Sequence, residues 1–90
     1  MKVAVSAAGA LRRLVEFRDK IEVEAERLDH AVARISEMYP TLQAALFDPQ
    51  GRIRSCYRLF VNGEMVPVSE TGRALQDNDQ IDILTAVAGG

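Results

Sequence analysis

The sequence predicts an α+β roll, a mixed sheet of four to five strands with one main helix and a short second helix. Three observations carry the prediction. One stretch alone has a sustained helical period, and short alternating runs lie on both sides of it. An Asn-Gly dipeptide joins two of those runs. A single amphipathic helix can cover only one face of a sheet, so the other face stays open.

The elements follow in order. Lys2-Val3-Ala4-Val5-Ser6 alternates and is β-rich at 3 and 5, a first strand. Ala7 to Arg18 has helical spacing at Leu11, Leu14 and Val15, but Gly9 interrupts it, which implies a long turn with one helical turn. Lys20 to Ala25 alternates strictly and forms the second strand, antiparallel to the first because the connection is too short for a crossover helix. Leu28, Ala31, Val32, Ile35 and Met38 obey the i, i+3, i+4, i+7 rule over 28–39, the main helix. Pro40 ends it, since the residue before a proline is pushed out of the α region.

Leu42, Ala45 and Leu46 give the short second helix, and Asp48-Pro49-Gln50-Gly51 is a turn by composition. Tyr57 to Val61 and Glu64 to Val68 are strands joined at Asn62-Gly63, where both residues suit the positive φ of a tight hairpin. Ser69 to Asp79 is loop-like, and Ile81 to Thr85 is the last strand. The order is strand, strand, helix, strand, strand, strand. The helix sits between two hairpins and lets the first and last strands pair side by side. That arrangement is the β-grasp, the ubiquitin-like fold. Residues 1–86 are expected to form it, with 87–90 a flexible tail.

Composition excludes several functions. Net charge is -2 and no basic block occurs, which argues against nucleic acid as a partner. Arg12-Arg13 is only a pair and reads as solvated loop. The apolar N-terminal stretch is too short for a signal peptide or membrane span. Cys56 is the one cysteine, so neither an internal disulfide nor a zinc set is expected, and a cytoplasmic protein fits best. Cys56 reads as a small, semi-buried residue rather than a reactive thiol. His30 lies off the apolar stripe and is expected in solvent. Asp77 and Asp79 belong to a polar turn, and Glu22, Glu24 and Glu26 to the solvent side of a strand and its exit. No catalytic triad, phosphate loop or metal set is found.

Four stretches, in order, resemble the MoaD/ThiS family of small sulfur-carrier proteins. Tyr39-Pro40 followed by Leu42 is similar to that family's "YPxL". Phe60-Val61-Asn62-Gly63-Glu64 is similar to its "FVNGE" hairpin, and Leu75 to Ile81 to its "LxDGDxV". Ala86-Val87-Ala88-Gly89-Gly90 is similar to the "VAGG" ending of the molybdopterin-type and cysteine-type carriers. Three positions depart from the pattern. Asn78 stands where glycine is usual, though Asn tolerates the left-handed conformation. Thr85 stands where proline is common. Val68 to Ala74 matches no part of it.

The resemblance gives the ending a role. At a glycine usage of about 7%, a terminal pair arises by chance in roughly one chain in 200, and alone it reads as an ordinary frayed end. In the family the terminal carboxylate is adenylated by an E1-like enzyme of the MoeB/ThiF kind, using ATP and magnesium. A sulfur donor then converts it to a thiocarboxylate, which passes sulfur to an acceptor enzyme. The resemblance therefore implies that the Gly90 carboxylate reacts and that Gly89, Val87 and Ala88 form its slender approach. Glycine permits close backbone approach because it lacks Cβ. The carrier binds no cofactor of its own and is a cosubstrate rather than an enzyme, or the small subunit of a molybdopterin synthase.

Strand phase supplies a partner surface. Ile81 and Ile83 suit the covered face, which leaves Leu84 outward. Pairing around Asn62-Gly63 matches Val61 with Glu64, Phe60 with Met65 and Leu59 with Val66. Leu59, Val61 and Val66 are then core, and Phe60, Met65 and Leu84 are exposed and adjacent on the open face. Exposed apolar groups of that size mark a binding patch, and in the family this face meets both the activating enzyme and the acceptor. The expected acceptor is a molybdopterin synthase large subunit. A cysteine-synthase-like enzyme follows closely, in a cysteine, homocysteine or secondary-metabolite pathway, since "DPQGRIR" before "FVNGE" looks similar to the cysteine type. Thiamin synthesis ranks below both on length and tail. Two alternatives remain: a ubiquitin-like modifier joined to lysines through Gly90, and an adaptor with an inert tail.

Overall fold

Alternation builds β1 (Lys2–Ala7) and β2 (Ile21–Glu24) as an antiparallel pair in which Val3 faces Val23 and Val5 faces Ile21. The structure, a computed structural model, describes residues 1–85. Helix α1 (Leu28–Met38) and helix α2 (Pro40–Leu46) follow, then β3 (Tyr57–Val61), β4 (Glu64–Val66) and β5 (Gln80–Thr85). The five strands form one sheet in the order β2-β1-β5-β3-β4. The β1–β5 pair is parallel, and the other neighbours are antiparallel. Early and late segments of the chain thus lie together at the middle of the sheet, as the predicted β-grasp requires.

One face of every strand is core. Val3, Val5, Ile21, Val23, Leu59, Val61, Val66, Ile81 and Ile83 are buried beneath Leu28, Ala31, Val32 and Ile35 of α1 and Leu42 and Leu46 of α2. The period-2 and period-3.6 patterns in the sequence mark these same residues, because apolar burial is the main favourable term in folding. Tyr39 takes φ -130 and ψ 88, an extended setting forced by the proline after it. Pro40 ends α1 and also opens α2, because its fixed φ and missing N–H suit a first helical position.

Three elements differ from the sequence reading. Residues 9–15 form a continuous 3₁₀ segment, longer than one turn, with Leu11 and Val15 buried. Gly9 enters it at φ 63, so its glycine starts the segment instead of breaking it. Glu16 and Phe17 leave it at φ 57 and φ 60, two side chains in a region that favours glycine. β4 stops at Val66, since Pro67 has no N–H for the ladder.

The expected loop over 69–79 is partly structured. Val68–Glu70 is a short 3₁₀ turn, and Ala74 bridges to Arg27. This strap caps α1, which has no capping side chain of its own: Leu28 N–H donates to Arg73 O (3.0 Å) and Asp29 N–H to Thr71 O (2.8 Å). Two of the helix's orphan donors are satisfied in this way.

The β3–β4 turn has Asn62 at φ 51 and Gly63 at φ 85, both positive as the dipeptide predicts. It is latched to the start of β5. Asn62 Oδ1 accepts from Gln80 N–H (2.9 Å), and Asn62 Nδ2 donates to Asp79 Oδ1 (2.9 Å). The other Asp79 oxygen accepts from Gln76 N–H (2.9 Å), and Asn78 between them sits at φ 71. Asp79→Ala removes two charge-assisted hydrogen bonds and is expected to destabilise the domain by about 1–2 kcal/mol. A urea midpoint shift with unchanged slope would show it; an unshifted midpoint would reject the latch.

Candidate functional site

The side of the sheet away from α1 carries the second residue of each alternating pair. On β3 these are Arg58 and Phe60, on β4 Met65, on β5 Gln80, Asp82 and Leu84, and on β1 Ala4 and Ser6. Phe60 lies directly opposite Met65 on one side and Asp82 on the other. Leu84 lies opposite Arg58, one diagonal step from Phe60, within reach of side chains that large.

The three predicted patch residues therefore share the open face, but not equally. Met65 is 57% exposed, while Phe60 and Leu84 are half-buried. The expectation that the three are exposed holds for Met65 and is corrected to half-buried for Phe60 and Leu84: Phe60 is flanked on both sides by paired strands, whereas Met65 lies on an edge strand. A polar seam adjoins them. Gln80 Nε2 donates to Ser6 Oγ (3.1 Å) and to Asp82 Oδ1 (3.1 Å), which ties β1 to β5 beside the apolar group.

The parallel pair sets where β5 ends. Ala7 faces Ile83, and Ala8 N–H donates to Ile83 O (3.0 Å). Tyr57 faces Thr85. The β1–β2 connection and the approach to β3 thus lie at the end of the sheet where β5 finishes. The predicted reactive and approach residues Val87, Ala88, Gly89 and Gly90 lie outside the described residues, as does the predicted junction between domain and tail.

Cys56 stands at this same end. It is exposed, which corrects the semi-buried expectation: Ser55 and Cys56 form a turn ahead of β3 and escape its alternation. Burial, then the neighbouring Cys56, raises the Tyr57 hydroxyl above its ordinary value, so the phenol stays protonated at neutral pH. His30 is exposed and hydrogen-bonds Arg27. Asp77 accepts from Lys2 N–H (3.0 Å) and, with Asp79, serves the turn. Among the described residues, no cluster of His, Cys, Asp and Glu is arranged to hold a metal ion, and no helix is long and apolar enough to cross a membrane.

A mixed sheet ordered β2-β1-β5-β3-β4 with one main helix across it defines a β-grasp protein. The chain belongs to the ThiS family, whose sequence profile matches residues 8–90. It is a ubiquitin-like sulfur carrier of the MoaD/ThiS type, a substrate of enzymes rather than an enzyme itself.

Among its relatives, the sulfur carrier protein CysO of Mycobacterium tuberculosis is 29% identical over 93 residues, covering 100% of both chains. The crystal structure of that protein superposes with a TM-score of 0.80 at 26% identity, over 94% of this chain and 99% of the other. SAMP1 from Haloferax volcanii gives a TM-score of 0.87 over 100% of both chains at 17% identity, a likeness of fold alone. A chain of the Amycolatopsis orientalis BexX/CysO complex gives 0.82 at 24% identity, over 98% of this chain and 99% of that one.

Sequence reasoning missed the basic side chains gathered where β5 ends. Arg12 and Arg13 lie there with Arg54 and Arg58, about 40 residues apart in the chain. No local motif marks them, and only the strand pairing brings them together.

Proposed function

We propose that the Gly90 carboxylate is the sulfur-bearing group of this carrier. An E1-like enzyme, using ATP and magnesium, joins it to AMP and releases pyrophosphate. A sulfur donor then displaces AMP and leaves a thiocarboxylate. The ionised carboxyl, of pKa about 3.3–3.7, is a poor electrophile until AMP gives it a leaving group. The described residues contribute recognition, with Phe60, Met65 and Leu84 placed to meet the activating enzyme and the acceptor. The family match through residue 90 carries the reading, because it takes in the Ala86–Gly90 ending together with the fold.

The acceptor is a cysteine-synthase-like enzyme in cysteine or related biosynthesis. The support is the full-length likeness to CysO, together with "DPQGRIR" ahead of the hairpin. This choice moves the preference away from the molybdopterin pathway favoured on the "VAGG" ending, which the cysteine-type carriers share.

Intact mass tests the chemistry. Incubation with the ThiF/MoeB-like enzyme of the same genome, ATP, magnesium and a sulfide source is expected to add the mass of one oxygen-to-sulfur exchange. High-mass lysine conjugates would mark a protein modifier instead, and no change would leave an adaptor. Addition of the cysteine-synthase-like enzyme and its activated amino acid is then expected to consume the thiocarboxylate. Persistence of that species would reject the cysteine assignment.

A further inference from the structure

Charge is divided between the two ends of the sheet. Arg12, Arg13, Arg18 and Lys20 lie in the β1–β2 connection, Arg54 lies at the approach to β3, and Arg58 is the second residue of that strand. All six are exposed, and together they are more than half of the chain's 11 Lys and Arg residues. Among the described residues, Glu16 and Asp19 are the acidic side chains of the same β1–β2 connection. At the opposite end Glu24, Glu26, Glu64 and Asp77 are exposed beside Lys2 and Arg27. A chain of net charge -2 thus has a positive pole where β5 ends.

Some of this charge is already engaged. Arg12 pairs with Asp19, and Arg58 donates to the carbonyls of Ser55 and Tyr57. Among the described residues, Arg13, Arg18, Lys20 and Arg54 make no ion pair. Phe17 sits among them, 65% exposed and held at φ 60. Its N–H donates to Arg12 O (2.9 Å), and its carbonyl accepts from Arg12 Nη2 (3.4 Å). A bulky residue in that conformation is an outlier, and such outliers persist only where the surroundings impose them.

We propose that this collar of basic side chains with Phe17 is a second docking surface, which meets the open sheet face at Arg58. Its partner is a carboxylate-rich rim on the activating enzyme, around the opening that admits the chain beyond Thr85. The inference rests on the sulfur-carrier reading above. Charge complementarity is the argument. A net acidic protein gains nothing from approaching an acidic surface unless its own charge is divided. Here the division turns the β5 end toward that surface and the acidic pole away from it. Such a field acts over about 8 Å at physiological ionic strength, and it raises association rates more than it holds the finished complex. Phe17 supplies the apolar contact that outlasts the encounter.

The test is ATP–pyrophosphate exchange by the purified ThiF/MoeB-like enzyme of the same genome, with the full chain as carrier. Arg13→Glu/Arg18→Glu is compared with Arg34→Glu/Arg73→Glu, which changes net charge equally but away from the collar. The collar variant is expected to raise KM for the carrier about tenfold or more with kcat unchanged, and the loss is expected to shrink as salt rises. Phe17→Ala is expected to raise KM independently of salt. Matching thermal melts establish that each variant is folded.

An unchanged KM, or the same change in both double variants, overturns the collar while wild-type exchange upholds activation of the chain by that enzyme. Unchanged KM with loss of binding to a labelled RNA oligonucleotide assigns the collar to nucleic acid and also overturns it. Absence of exchange by the wild-type chain overturns the carrier reading, and this inference with it.

Discussion

Removal of Gly90, or conversion of its carboxylate to an amide, is expected to abolish ATP-dependent activation while the domain stays folded. The two variants fail for different reasons. The amide has no ionised oxygen to attack the α-phosphate, and its neutral carbonyl oxygen is a far weaker nucleophile. The truncated chain still ends in a carboxylate, but about 3.5 Å short, one residue of extended chain. A misplacement of 1 Å at a reacting atom can already cost on the order of 100-fold. Neither change touches the described core, whose last member in sequence is Ile83. Stability should therefore stay within about 0.5 kcal/mol of wild type. Pyrophosphate exchange and a thermal melt measure the two halves, and normal exchange by the truncated chain would refute the role of Gly90.

Ile83→Glu is expected to unfold the domain, whereas its neighbour Leu84→Glu leaves it folded and weakens the partner complex. Ile83 is fully buried between Ala7 of β1 and Leu59 of β3. A carboxylate there would lose its hydration with no partner, and changes of that kind cost about 4 kcal/mol or more. A 90-residue domain has only about 5–13 kcal/mol in total. Leu84 points to the opposite face, where a charge keeps its water. Loss of an interface anchor costs about 2 kcal/mol, roughly a 30-fold drop in affinity. Melting and binding curves for both variants decide the matter. An unfolded Leu84→Glu beside a folded Ile83→Glu would invert the two faces.

The parts of the fold that the sequence made legible are those written in periodicity. Ile81 and Ile83 alternate with Asp82 and Leu84, and Asn62-Gly63 fixes the register of its hairpin, so the core face and the open face both followed. The helix stripe from Leu28 to Ile35 was equally plain. What stayed hidden depends on contacts between distant segments. The strap over 71–75 has no pattern of its own, because its order comes from capping α1. Cys56 follows no alternation and took its exposure from a turn. The graded exposure of Phe60, Leu84 and Met65 reflects central against edge position in the sheet, which alternation does not encode. The basic collar needs the parallel β1–β5 pair before its two halves meet.

The place of β5 between two neighbours also governs how the molecule bears tension. A pull on the chain past Thr85 runs along β5, while its ladder bonds to β1 and β3 lie across the strand, slanted toward β1 and perpendicular toward β3. The load is then shared by both ladders at once, in shear, and the bonds do not open one after another as they would along a peeled edge strand. The domain should yield least when it is gripped by the very end that the proposed activation would draw into an enzyme's active site. An unfolding motor starting at β2 or β4, each with one neighbour, would meet far less resistance.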